Sequence, residues 1–187
     1  MVMDNSPPLS RRAVIAGTTL LTAALAAPLS AAGPGGGSGD FAFQDGHWQV
    51  RHRRLRKWLA GNDEWYEYGG SCTAGQLMAG AAGYEDNLLN DPRGAYRAEG
   101  LRRFDPRTRL WSIWWWDERF SDIAPPVTGR FENGVGTFLG DDTFDGRPIK
   151  VRYIWDHVAP GVPRWQQAFS ADAGTTWETN WRMEFTR

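Results

Sequence analysis

The stretch from Phe104 to Phe120 constrains this chain more than any other. It opens with the turn signal Asp105-Pro106-Arg107-Thr108. It then runs through Leu110, Trp111, Ile113 and three consecutive tryptophans, Trp114 to Trp116, before Asp117. Side chains alternate along a strand, so Trp111, Ile113, Trp115 and Asp117 share one face while Ser112, Trp114 and Trp116 share the other. Large rings on both faces exclude an ordinary half-solvated strand. Each face must meet a core, a ligand or a partner.

The same period recurs along the chain. In Gly46–Leu55, Trp48, Val50 and His52 face one way, and His47, Gln49, Arg51 and Arg53 the other. The run Arg51 to Lys57 could meet an anion, but in a chain of net charge -1 it reads as a solvated face. Glu64–Thr73 reads as a strand whose Gly69-Gly70 pair predicts a bulge or a close backbone approach. A strand is expected over 74–83, a loop over 87–94, and a strand over Ala95–Phe104. Strands at 127–132, 134–141 and 148–157 are joined by Asn133-Gly134 and Asp145-Gly146, both strong hairpin signals. Segments 164–171 and 175–185 complete the series. In the last, Trp177, Thr179, Trp181, Met183 and Phe185 alternate with Glu178, Asn180, Arg182 and Glu184. No long amphipathic helix interrupts this order. About ten sequential strands predict an all-β fold, an antiparallel up-and-down barrel without exposed edges and with room for one small ligand.

The N-terminal region reads differently. Ser10-Arg11-Arg12-Ala13-Val14-Ile15, a modestly apolar Ala13–Ala27 segment and the small residues Ser30-Ala31-Ala32 describe a twin-arginine export signal over 1–32. Gly33–Gly39 reads as a flexible linker, so the mature domain is expected over 40–187. The protein is then periplasmic or secreted, with no stable membrane insertion after signal cleavage. Removing the signal takes away one acidic and two basic residues, and the net charge moves from -1 to -2. That balance gives no footprint for nucleic acid.

Chemistry-bearing residues are few. The single cysteine, Cys72, excludes an internal disulfide and reads as a buried strand residue. His47 and His52 have opposite parity, so no metal site is expected. Asp117 is a carboxylate among rings, where burial raises its pKa unless it is paired. Arg152 is a candidate partner whose facing argues against it. Ser170-x-Asp172-x-Gly174-x-Thr176-Trp177 looks like the Asp-box hairpin of sialidase propellers. It occurs once, so it predicts a braced turn and no glycosidase.

Further short motifs carry a wider resemblance. They are Gly46-x-Trp48, Phe104-Asp105-Pro106-x-Thr108-x-x-Trp111, Trp116-Asp117, Gly140-Asp141-Asp142, Gly146-Arg147-Pro148-Ile149-x-Val151-Arg152, the Asp-box, and the ending Glu184-Phe185-Thr186-Arg187. Over residues 40–187 the chain resembles a family of small bacterial proteins of unknown function with a calycin-like β-barrel, related in shape to lipocalins and nitrobindins. The nitrobindin glycine pattern is absent, because Gln49-Val50-Arg51 follow Trp48, so the resemblance implies no haem or other cofactor. His157 is the one residual candidate for an iron ligand.

Three functions follow as expectations. The first is a binding barrel for an apolar or sugar-like small molecule, lined by Trp48, His52, Trp65, Trp111, Trp115, Asp117, Trp155, Asn180 and Trp181. The second is an enzyme on the same barrel, of isomerase, lyase or hydrolase type, with Asp117 and His52 moving a proton. The third is an envelope or stress protein whose rings are only core. The outward Trp114 and Trp116 call for a cover, either the Phe41/Phe43 segment or a second copy in a homodimer.

Overall fold

Each strand pairs antiparallel with its neighbours in sequence, and the last returns to the first. The computed structural model describes residues 36–156 and 161–187. The strands are β1 (Gly46–Leu55), β2 (Trp65–Leu77), β3 (Ala82–Leu89), β4 (Tyr96–Asp105), β5 (Leu110–Asp117), β6 (Val127–Glu132), β7 (Val135–Phe144), β8 (Arg147–Asp156), β9 (Arg164–Ser170) and β10 (Glu178–Thr186). Together they form a closed ten-strand, up-and-down barrel. The twin-arginine segment, the start of the Gly-rich stretch and His157 lie outside the described residues.

Asn133 and Gly134 both take positive φ, 51° and 78°, as do Asp145 and Gly146, at 50° and 73°. These are the values a two-residue type I′ hairpin needs. Gly70 makes the close approach expected of it. A Cβ there would stand 2.4 Å from the Leu88 carbonyl oxygen and 2.9 Å from His52 Nε2. The region between 74 and 94 differs from the sequence reading. β2 runs on to Leu77 and reverses through Met78–Gly80, and β3 occupies Ala82–Leu89. Two of its inward positions are Glu85 and Asn87, so the apolar alternation that marks a strand is missing.

One end of the barrel is closed by the chain that precedes β1. Phe41 enters among rings from four strands, with centroids 5.0 Å from Trp111, 5.0 Å from Phe131, 5.9 Å from Phe138 and 6.2 Å from Trp155. Polar bonds fix the plug around this apolar contact. Trp111 Nε1 donates to Asp40 Oδ2 at 3.1 Å, and Trp48 Nε1 donates to the Gln44 carbonyl at 2.7 Å. Gln44 Nε2 donates to Glu85 Oε2 at 2.8 Å, while Gln44 Oε1 accepts from Arg102. Gly36 is buried and its N–H donates to the Phe131 carbonyl. The end of the Gly-rich stretch is therefore part of the fold and not a free linker. The plug also corrects the expectation that Phe41 and Phe43 cover the outer rings, since Phe41 packs on the inward Trp111. Leu101 and Trp114 stand opposite one another on the outer face.

Phe41→Ala should destabilise the fold by about 3–5 kcal/mol, the range for emptying a buried phenylalanine site. A shift of the urea midpoint at unchanged slope would measure it, and a shift below 1 kcal/mol would mean that the plug is not a structural element.

Candidate functional site

The inward positions near the opposite end leave a cavity of about 1010 Å³, open at the mouth. Strand parity accounts for much of its wall, but Trp116, expected on the outer face with Trp114, also lines it beside Trp115 and Asp117. β5 contributes Ile113, Trp115 and Asp117, β8 contributes Val151 and Tyr153, β9 contributes Gln167 and Phe169, β10 contributes Trp181, and β1 contributes Arg54. Trp58 and Arg56, from the β1–β2 connection, Arg93 and Tyr96, Arg119 just after β5, and the β7–β8 hairpin also line it.

Arg54 is in the same register as Trp48, Val50 and His52, so it points inward, and it is 6% exposed. Its Nη1 donates to the Tyr96 hydroxyl at 2.9 Å. The guanidinium lies 4.9 Å from the Trp58 ring and 4.3 Å from the Trp181 ring. Ring faces attract a cation through their quadrupole, which offsets part of the burial penalty. Reading Arg51 to Lys57 as a solvated face is therefore wrong for this residue.

Asp117 is buried at the wall and accepts from Arg119 Nε at 2.9 Å, Nη2 at 2.8 Å and the backbone N–H at 3.1 Å. The Asp117 hydrogen bond raises the Arg119 pKa, and the same guanidinium lies 3.5 Å over the Tyr96 ring. Arg152, the partner weighed from sequence, stacks at 4.4 Å on Trp177 instead.

His52 sits deeper and is not on the cavity wall. It stacks on Tyr68 with centroids 4.7 Å apart, and Nδ1 accepts from Trp181 Nε1 at 3.2 Å, which leaves the proton on Nε2. Burial first, and then the Arg54 charge, lowers its pKa to about 3. The expected proton-moving pair is therefore not assembled. Asp117 is held by Arg119, and His52 is a neutral acceptor for an indole.

The other expected lining residues disperse. Trp48, Trp111 and Trp155 belong to the core at the plugged end, around Phe41 and Phe185. Trp65 lies on the outer face between Arg53 and Arg182, at 5.3 Å and 5.1 Å. Asn180 is fully buried, and its Oδ1 accepts from Gln167 Nε2 at 2.9 Å. A register shift between Thr179 and Trp181 turns both Asn180 and Trp181 inward, which strict alternation forbids. Trp115, Asp117 and Trp181 alone of the expected set line the cavity. Sequence reasoning missed Arg54, Tyr96, Arg119, Tyr153, Gln167 and Phe169. For Arg54 the signal was present in its parity with His52.

The Asp-box forms as its residue pattern predicts, in the β9–β10 turn. Asp172 accepts from the Thr176 N–H at 2.8 Å, the Thr176 hydroxyl at 2.7 Å and the Ser170 hydroxyl at 2.7 Å. Those bonds hold its pKa down to about 2, the Thr176 backbone N–H contributing most. Trp177 Nε1 closes the turn on the Gly174 carbonyl at 3.0 Å. Cys72 is buried, and burial pushes its thiol pKa up. Among the described residues no group of three His, Cys, Asp or Glu side chains could hold a metal.

The chain matches no family model and none of the curated proteins.

His52 gives the fold a defined acid response. In the unfolded chain it takes up a proton below its ordinary 6.5, but in the fold only below about 3. Across that window the unfolded state binds more protons, so stability falls as the pH drops from 6.5 towards 3 and is flat above 6.5. The slope approaches about 1.4 kcal/mol per pH step. Urea midpoints between pH 7 and pH 4.5 (roughly above the carboxylate range) should fall for the wild type. They should stay level for His52→Gln, which retains an acceptor for Trp181. Equal slopes in the two proteins would place the proton uptake elsewhere.

Proposed function

We propose that this protein is an exported small-molecule-binding barrel of calycin-like type. The observation that carries the binding reading is the cavity. It holds about 1010 Å³ and is walled by Trp115, Trp181, Phe169, Tyr153, Val151 and Ile113. Among its polar groups, Arg54, Gln167 and the Asp117–Arg119 pair are held by bonds to the scaffold, and Arg56, Lys57, Arg93, Asp141, Asp142 and Asp145 also stand on the lining. An apolar concavity with a small number of fixed polar anchors is the usual form of a ligand site, and its volume lies at the upper end of the range that such pockets occupy. Export rests on the twin-arginine pattern at Ser10-Arg11-Arg12 and kinship with calycin-like barrels on the motifs and the up-and-down strand order. Catalysis by Asp117 with His52 has no support in their separate engagements with Arg119 and Trp181.

A neutral fluorescent probe tests the cavity directly. N-phenyl-1-naphthylamine should brighten on binding the wild type and quench its tryptophan emission. Trp115→Ala should weaken that binding about tenfold, equivalent to about 1.4 kcal/mol. Val151→Trp, which fills the space, should abolish it. Unchanged brightening in the filled variant would show that the probe sits elsewhere, and the proposal would fail.

A further inference from the structure

The arginines of the cavity wall are not equivalent. Four line it: Arg54, Arg56, Arg93 and Arg119. Arg56 faces Glu64 at 3.8 Å, Arg93 faces Asp91 at 2.8 Å, and Arg119 faces Asp117 at 2.8 Å. Arg54, the most buried of them at 6% exposed, forms no ion pair among the described residues. Of its five N–H groups, one donates to Tyr96, and Nε is buried without a hydrogen-bond partner. Buried charges in folded proteins are paired, because an unpaired one forfeits its hydration without return. Two indole faces and the hydroxyls of Tyr96 and Tyr68 compensate only part of that loss.

We propose that Arg54 is the anchor for an organic monoacid, whose carboxylate pairs with the guanidinium while its apolar or aromatic body lies against Trp115, Trp181 and Phe169. The inference rests on the reading of the cavity as a ligand site. A planar guanidinium fork matches a carboxylate, and a pair excluded from water is stronger than one in solvent. Phosphate would match the fork as well, but the mouth also carries Asp141, Asp142 and Asp145. They share the rim with Arg56 and Lys57, so the selection falls to the wall: Arg54 is its buried cation without a carboxylate partner among the described residues, which one negative charge neutralises and a second overshoots.

The test uses three probes with one aromatic body and different heads: naphthalene-2-carboxylate, the neutral 2-naphthylmethanol and the dianionic 2-naphthyl phosphate. Calorimetry on the wild type should give the carboxylate at least tenfold higher affinity than either of the others. Arg54→Met should remove that preference and leave the alcohol unaffected, and Arg54→Lys should keep part of it. A measurement on the wild type alone guards against a variant that does not fold. The carbon-13 signal of a labelled carboxyl should titrate at lower pH bound than free. Equal affinity for carboxylate and alcohol, or an unmoved titration, would overturn the Arg54 assignment while the binding barrel stands. Preference for the phosphate would overturn the monoacid. If none of the three probes binds, the ligand-site reading fails and takes this inference with it.

Discussion

Closure of β10 onto β1 is the constraint on which everything else depends. Once the sheet is a tube, every second residue of a regular strand must face inward, whatever its chemistry, and only a bulge such as that in β10 departs from this. The chain packs one end of that interior with rings and leaves a cavity towards the other. At the plugged end, Trp48, Trp111, Phe131, Phe138, Trp155 and Phe185 are large enough, with Phe41 among them, to exclude space. Towards the mouth, the inward positions hold a mixture of rings, branched aliphatics and polar groups that leaves a cavity, although Trp115 and Trp181 touch across the axis with centroids 5.7 Å apart.

The polar inward residues are tied off in a graded way. Gln44 of the plug bonds to both Glu85 and Arg102. His52 serves Trp181, and Asn180 serves Gln167. Each of these groups spends bonding capacity on a neighbour and holds an adjacent ring or strand in place. Arg54 departs from this pattern, with neutral phenol hydroxyls and two aromatic faces about a full charge.

Strand number, order and fold class were legible in the sequence because turn chemistry and alternation agreed along most of the chain. Asn133-Gly134, Asp145-Gly146 and the Asp-box located their hairpins by local backbone preference alone. β3 was not legible, since Glu85 and Asn87 stand where apolar residues would mark the inward face. The site was legible in part. The parity of Trp115 and Asp117 was correct. Which rings line the cavity and which fill the core depends on where the plug seats, and that is a long-range fact. Asn180 and Trp181 share the interior through a bulge that no short motif announces. Arg54 was hidden by its company, as the inward arginine of a basic run in which Arg51, Arg56 and Lys57 are exposed.

The plug also decides what kind of vessel this barrel is. Asp40, Phe41 and Gln44 fasten across the strand ends through Trp111, Trp48 and Glu85. A molecule cannot travel along the axis from one opening to the other, so the barrel is a cup and not a conduit. Whatever enters by the open end leaves by it as well. Arg56 and Lys57 on one side of that rim, and Asp141, Asp142 and Asp145 from the β7–β8 hairpin, present it with opposite charges during both passages. Under the proposed binding function, the rim would act on exchange rates, while the buried wall below it would set how long a guest stays.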